Sequence, residues 1–156
     1  MALRNIVVEG DPVLRKVCRP VGEITDRIQV LIDDMIETMN EAQGVGIAAP
    51  QVGVLRRIFI VDIGDGPIVL INPEILEMSG EQEDMEGCLS VPGKAGNVKR
   101  ANYVKIKGLD REGNEVIHEG TELLARAFQH EYDHLDGILY IDKADEVVDA
   151  EYYDEE

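Results

Sequence analysis

The sequence predicts an α+β fold in which two main helices accompany antiparallel β-sheets. Two segments, 25–41 and 121–135, carry apolar side chains at helical spacing. Four shorter segments, rich in β-branched and aromatic residues, are typical of strands. These strands follow one another at hairpin separation instead of alternating with helices, which favours antiparallel pairing.

Each element has a local signal. Asp11 and Pro12 are typical of the N-cap and first position of a short helix. A long amphipathic helix is predicted from Thr25, its N-cap, to Glu41. Its apolar face consists of Ile28, Leu31, Ile32, Met35, Ile36 and Met39. Strands are predicted over 57–63, 68–76, 103–109 and 115–119, with a turn over 110–113, and a second main helix follows over 121–135.

Length and composition limit the classes of protein to consider. A chain of 156 residues fits one domain. No apolar run is long enough to span a membrane, and the first residues lack the apolar core of a signal peptide. Two cysteines in different contexts do not form a disulfide framework, so a reducing cytoplasm is expected. The net charge of -17 argues against direct binding to nucleic acid or acidic membranes, and we expect a monomer.

The HExxH motif at residues 130–134 is the most informative feature of the chain. Residues four apart share one face of a helix, so His130 and His134 can bind one metal ion. Glu131 lies one step round the helix, close enough to take a proton from a metal-bound water. Both faces are otherwise apolar, and an unpartnered ionisable group would be costly there. We therefore predict a metalloenzyme rather than two core histidines.

Two histidines do not hold a metal ion alone. His118, a candidate third ligand, lies in an extended stretch and is interpreted as an ordinary strand residue. Asp136 lies too near the end of the helix to be an obvious third ligand. Cys18 is interpreted as a small, partly buried hydrophobic residue. Cys88 lies in a segment bracketed by Gly and Pro that is typical of a turn at the end of a strand. Its thiolate can complete a Cys-His-His set with a fourth position open for water, as a catalytic site requires.

Three segments resemble the three signature motifs of the peptide deformylases: 44–51 (GVGIAAPQ), 86–90 (EGCLS) and 129–134 (QHEYDH). They occur in the family's order, and the similarity extends from about Val8 to Lys143. The resemblance implies a catalytic domain over 1–143, with antiparallel sheets packed around a central helix that carries HExxH. It also implies the family's reaction, which is removal of the formyl group from the N-terminal formylmethionine of newly synthesised polypeptides, with release of formate.

The resemblance implies a role for each motif. The expected metal ligands are Cys88, His130 and His134. The ion is expected to be ferrous iron, with zinc, nickel or cobalt as alternatives, and it would lower the pKa of a bound water to roughly 7. Glu131 would accept the proton of this water and later deliver it to the departing amine. The Gln51 side-chain amide, the Leu89 backbone N–H and the metal would stabilise the oxyanion.

The resemblance also implies a substrate cleft. Its expected lining residues are Gly44, Val45, Gly46, Ile47, Leu123 and Ala127. Glycines allow close approach of an extended peptide, which could pair with this segment as an added strand. Val45, Leu123 and Ala127 would form the apolar pocket for methionine, and Val45 and Ile47 are the candidates for contact with its side chain.

Three charged residues near the motifs are candidates for supporting roles. Arg126 is interpreted as pocket rim or solvent face, and the sequence does not choose between them. Glu86 could pair with Arg100 and so orient the metal ligands.

Residues 144–156 are predicted to be a disordered acidic tail. From Asp142 to the end of the chain, eight acidic residues accompany one lysine, Lys143. Many members of the family carry a basic helix here, so we expect no ribosome contact of that kind. The alternative is a different, transient encounter with the ribosome, where the substrate emerges.

Two alternatives remain at this point. A small metallopeptidase would use His130, Glu131 and His134 without needing Cys88 or Gln51. A noncatalytic domain would hold a structural metal ion, which needs four protein ligands, whereas the sequence offers three good candidates.

Overall fold

The structure is a computed structural model that describes residues 2–150. Its strands are β1 (Gly46–Ala48), β2 (Ile58–Val61), β3 (Ile68–Ser79), β4 (Gln82–Cys88), β5 (Val91–Arg100), β6 (Tyr103–Leu109), β7 (Glu115–Thr121) and β8 (Val147–Asp149). One sheet has the strand order β1-β2-β3-β6-β7 and the other the order β4-β5-β8. All of these neighbours pair antiparallel. The predicted class, a mixed fold with antiparallel sheets, is confirmed.

Two α-helices accompany the sheets, α1 (Asp26–Glu41) and α2 (Glu122–Leu135). The Thr25 hydroxyl accepts a hydrogen bond from the Ile28 N–H at 3.3 Å, so it satisfies a donor that the first turn of α1 leaves free. Asp11 caps the short 3-10 helix Pro12–Arg15 in the same way, accepting from the Val13 N–H at 3.0 Å. Among residues 2–150, no helix is both long and apolar enough to cross a membrane.

The five-stranded sheet packs one helix against each of its faces, and β2 shows why. Successive side chains of a strand point to opposite faces. Ile58 and Ile60 pack with α1, whereas Phe59 and Val61 pack in the cluster that contains Phe128 of α2. All four residues of β2 are fully buried, so the strand appears in the sequence as a continuous apolar run.

The strands β2, β3, β6 and β7 lie where the sequence predicts them, although their ends shift by a few residues. The strands β1, β4, β5 and β8 were not predicted. β4 and β5 are rich in charged residues and glycine, which are uncommon in strands, and they are stabilised by pairing with each other. β1 is only three residues long and pairs with β2.

The segment 144–156, predicted to be disordered, differs from that expectation in its described part. Val147–Asp149 form β8, which pairs with Lys94, Ala95 and Gly96 of β5. The Lys94 ammonium also lies 2.5 Å from the Asp149 carboxylate. Backbone pairing therefore holds a segment whose composition alone would favour disorder. Residues 151–156 lie outside the described part of the chain.

Candidate active site

Cys88, His130 and His134 come together in one cluster. One candidate ligand atom from each residue lies within 4.8 Å of the other two. The two histidines occupy consecutive turns of α2, and their ring centroids are 5.0 Å apart. Cys88 is the last residue of β4, where the chain turns towards β5, and its Sγ lies 3.4 Å from Nε2 of His134. The fold thus places a thiol beside two imidazoles from a segment more than 40 positions away.

The donors in this cluster suit a divalent transition-metal ion. Thiolate and imidazole are ligands that such ions prefer, and three of them leave a coordination position for water or substrate. His130 is also oriented as a ligating histidine usually is. Its Nδ1 lies 2.8 Å from Oε1 of Glu86, which leaves Nε2 free to face the cluster.

Glu86 is the centre of a buried ionic network behind the cluster. The Arg100 guanidinium donates to both of its oxygens, at 2.8 and 2.9 Å, which agrees with the pairing suggested by the sequence. Arg126 also donates to Glu86. Burial alone would raise the pKa of Glu86, but hydrogen bonds from Arg100 and His130 hold that pKa well below its usual range. Arg100 also donates to Asp133 at 2.7 Å, so the network extends along α2.

Of the two alternatives that the sequence leaves open for Arg126, pocket rim and solvent face, the structure agrees with the first and not with the second. The Arg126 side chain is only 6% exposed, and it donates to Glu86, to Gln82 and to the carbonyl of Val98. Arg126 forms part of the cleft wall, and the carboxylate of Glu86 neutralises its charge. The burial of Arg126 has a simple cause, because the buried carboxylate of Glu86 needs cationic partners.

Glu131 is buried next to the cluster. Its Oε2 lies 4.0 Å from Nε2 of His130, and its Oε1 has no hydrogen-bond partner among residues 2–150. Burial raises the pKa of Glu131 to about 7, with the charge of His130 opposing this shift. A carboxylate with such a pKa can both accept and release a proton near neutral pH.

Gln51 is held in a fixed orientation on the other side of Cys88. It lies in the short 3-10 helix Ala49–Val52 and is 1% exposed. Its Oε1 accepts from the Ala48 N–H at 2.9 Å, while its Nε2 lies 3.1 Å from the Ser90 hydroxyl and 3.5 Å from the Cys88 sulfur. The side-chain N–H donors are therefore directed towards the thiol cluster.

A cleft of about 490 Å³ gives access to these groups. Twelve of the residues singled out by sequence line it: Gly44, Val45, Gly46, Gln51, Glu86, Cys88, Leu89, Leu123, Arg126, Ala127, His130 and Glu131. His134 lies behind this wall and is 1% exposed. Five further residues line the cleft without having been singled out from the sequence, namely Gln43, Met85, Gly87, Pro92 and Gly93. Gly87, Pro92 and Gly93 are the residues that bracket Cys88 in the sequence, so the predicted turn around Cys88 could have indicated them.

Ile47 does not line the cleft, contrary to the sequence-based expectation. Its side chain is fully buried and packs with α1 residues such as Met35 and Met39. Strand alternation explains the difference, because Gly46 and Ile47 are neighbours in β1 and face opposite sides. Gly46 is the one directed at α2, where a Cβ atom would lie 2.5 Å from Oε2 of Glu131.

A thiol and two histidines, a buried carboxylate and a fixed amide thus surround one cleft of an antiparallel α+β fold. This combination defines the class of metal-dependent hydrolases that carry an HExxH helix.

Comparisons with known proteins identify the family. Residues 3–150 match the family model described as Polypeptide deformylase. A peptide deformylase of Agathobacter rectalis is 64% identical over 145 residues, which cover 93% of this chain and 92% of the relative. One of Clostridium botulinum is 62% identical over 143 residues, covering 92% and 97%. The crystal structure of peptide deformylase from Thermotoga maritima matches with a TM-score of 0.90 and 44% identity, covering 92% of this chain and 99% of that chain. The chain belongs to the peptide deformylase family and is an enzyme.

Proposed function

We propose that the cleft is the active site for the reaction of this family, with Cys88, His130 and His134 as the ligands of one divalent metal ion. The chain removes the N-formyl group from the N-terminal formylmethionine of newly synthesised polypeptides and releases formate. The observation that carries the site assignment is the convergence of the Cys88 thiol with two histidines of α2. On this proposal α2 is the central helix of the fold and residues 1–143 are the catalytic domain.

The proposed ion is ferrous iron, with zinc, nickel and cobalt as the alternatives that suit a sulfur and nitrogen donor set. When bound, the ion supplies Lewis acidity that lowers the pKa of a water molecule to roughly 7 and polarises the formyl carbonyl. Glu86 supports the ligand set, because its carboxylate fixes the ring of His130 through Nδ1.

Glu131 is proposed as the general base and acid. It is buried, and its Oε1 has no hydrogen-bond partner among the described residues. This oxygen can therefore accept a hydrogen bond from a water molecule in the cleft. It accepts that proton as the water attacks the formyl carbon and then delivers it to the departing amine. Its pKa of about 7 suits both steps, because neither protonation state is strongly disfavoured near neutral pH.

Gln51 and Leu89 are proposed as donors to the oxyanion that develops on the formyl oxygen. The Gln51 amide is already oriented by Ala48 and Ser90, so little reorganisation is needed when charge develops. Leu89 lies in the turn between β4 and β5, directly after Cys88, and lines the cleft, which supports its backbone N–H as the second donor.

The substrate peptide is proposed to bind along Gly44, Val45 and Gly46. Within residues 2–150, β1 is an edge strand that pairs with β2 on one side, so its other edge can accept an extended peptide. Val45 and Leu123 are 46% and 49% exposed, and with Ala127 they provide apolar contacts for the methionine side chain. We propose that the enzyme acts as a cytoplasmic monomer on nascent chains, meets the ribosome transiently and has no direct affinity for nucleic acid.

The test of this function is formate release from a formyl-Met tripeptide by protein purified without oxygen and loaded with ferrous iron. We expect rapid, metal-dependent release. A folded, metal-replete chain that releases no formate would exclude the proposed reaction. Cleavage of internal peptide bonds instead would indicate a metallopeptidase.

Replacing Gln51 with leucine should lower kcat by about 10²–10³-fold, since removal of one preorganised oxyanion donor costs that much in comparable sites. Ser90→Ala is the matched variant, because it removes an anchor of the Gln51 amide but keeps the donor. The loss of one hydrogen bond worth about 1 kcal/mol predicts roughly a fivefold decrease for Ser90→Ala. Steady-state kinetics of both variants check this order, and equal losses would contradict a direct role for the amide.

Replacing Gly46 with alanine should lower kcat by about 10²-fold without removing the metal. The new methyl group would lie 2.5 Å from Oε2 of Glu131, and a displacement of the base by about 1 Å has an effect of that size. Gly22→Ala is the control, because a Cβ atom there would meet no other atom within 4 Å and Gly22 lies outside the cleft. Metal content and formate release should be measured together, and full activity in Gly46→Ala would show that Glu131 is not positioned by β1.

A further inference from the structure

Tyr140 lies beside the proposed metal ligands and takes no part in the chemistry proposed above. It begins the short 3-10 helix Tyr140–Asp142, which follows α2 closely in the chain. Between α2 and this helix the backbone reverses at Gly137, whose φ of +76° lies in the left-handed region. The reversal brings Tyr140 back along α2 to the ring of His130.

The rings of Tyr140 and His130 are stacked. Their centroids are 6.1 Å apart, and their planes differ by 24°. Aromatic rings with centroids about 4.5–7 Å apart attract each other beyond the effect of burial. Tyr140 is 1% exposed and belongs to a buried cluster with Leu14, Val91, Val98 and Leu139. Cys88 packs against this cluster, so Tyr140 is part of the apolar wall behind two of the three proposed ligands.

The backbone of β5 supports the Tyr140 ring. A Cβ atom on Gly96 of β5 would lie 3.2 Å from Cε2 of Tyr140 and 2.8 Å from Cβ of Ala144. The ring therefore lies directly against β5 at a position where there is no side chain. Protein interiors are close-packed, so a buried ring supported in this way has little freedom to change its plane.

The stacked ring adds a restraint that the hydrogen bond from Glu86 does not supply. Nδ1 of His130 lies 2.8 Å from Oε1 of Glu86. This contact fixes the direction in which Nδ1 points, but the imidazole can still tilt about it. An aromatic face beside the imidazole restricts the tilt, because tilting would lose the stacking contact. The two contacts together fix both the direction and the plane in which Nε2 faces Cys88 and His134.

The hydroxyl of Tyr140 does not contribute to this restraint. It is buried and has no hydrogen-bond partner among residues 2–150. A buried hydroxyl without a partner costs stability and orients nothing. Phenylalanine, which keeps the aromatic face, should therefore replace tyrosine at this position without loss.

We propose that Tyr140 is a positioning residue whose aromatic face fixes the plane of His130 for metal binding. This inference rests on the metal site proposed above and adds a residue to it. Loss of an aromatic contact corresponds to roughly a 2- to 10-fold change in an equilibrium constant, and loss of a group that orients a ligand weakens metal binding by about 10- to 100-fold. We therefore expect metal binding to weaken about tenfold when the aromatic face is removed.

The experiment titrates Co²⁺ into the full chain after removal of bound metal and follows the cobalt–thiolate absorption. Tyr140→Leu removes the aromatic face, whereas Tyr140→Phe removes only the hydroxyl. Leu139→Ala is the control, because it removes buried apolar contacts from the same cluster at the neighbouring position. Tyr140→Leu should bind Co²⁺ about tenfold more weakly, with an altered absorption spectrum. The other two variants should bind within about twofold of the natural chain, although Leu139→Ala should be less stable.

Urea denaturation first establishes that each variant is folded under the conditions of the titration. If Tyr140→Leu does not fold, Tyr140→Met takes its place, because methionine fills irregular gaps but has no aromatic face. Natural affinity in the variant without the face would overturn the proposal. Equal weakening in Tyr140→Phe or in Leu139→Ala would also overturn it. A natural chain that shows no cobalt–thiolate absorption would instead overturn the metal site on which the inference rests.

Discussion

Glu131→Gln should abolish most of the formate release while leaving the metal bound. Glutamine has the same shape but can neither accept nor deliver the proton that moves during hydrolysis. General acid–base catalysis typically contributes 10²–10⁴-fold, so we expect a decrease in kcat of about that size. Glu131 is not among the three clustered ligand candidates, so the metal content should stay the same as in the natural chain. Formate release and bound iron should be measured on the same anaerobic preparation.

Glu122→Gln is the matched control for this substitution. It is the same change on the same helix, but Glu122 is exposed in the first turn of α2. It should retain nearly full activity. A Glu131→Gln variant with more than a tenth of the natural turnover would contradict the base assignment. Metal-replete protein that is inactive with and without the substitution would favour a purely structural metal.

Glu86→Ala should be the most destabilising single substitution behind the site. The Arg100 and Arg126 side chains are 2% and 6% exposed, and both donate to Glu86. Without the carboxylate, two buried guanidinium groups lose their shared anionic partner. Removing one member of a buried ion pair typically costs about 3–5 kcal/mol, so the free energy of unfolding should fall by about that amount. Urea denaturation at one fixed metal concentration measures it.

Glu83→Ala provides the comparison on the same strand. Glu83 is exposed and accepts a hydrogen bond from Asn97, so its loss should change stability by less than about 1 kcal/mol. Glu86→Ala should also weaken metal binding by about 10–100-fold, because Nδ1 of His130 loses the acceptor that orients the ring. Equal stability of the two variants would show that Arg100 and Arg126 find other partners.

Much of the fold could be predicted from local patterns. The caps of α1 and of the first 3-10 helix, and the positions of β2, β3, β6 and β7, depend on side-chain periodicity and on residues next to each other in the chain. β4 and β5 could not be predicted, since their charged and glycine-rich sequences lack the alternation of a strand. β8 was missed for a related reason, because its stability comes from pairing with β5.

The site divides in the same way. The sequence by itself determined that His130 and His134 share a face of α2 with Glu131 next to them, because that relation follows from helical spacing alone. Only the tertiary structure decided that Cys88 meets them and that Gln51 is directed at the same thiol. It also decided that Arg126 is buried against Glu86 and that Ile47 faces the core. These last relations join residues far apart in the chain, and they are set by which surfaces pack together, which local periodicity does not encode.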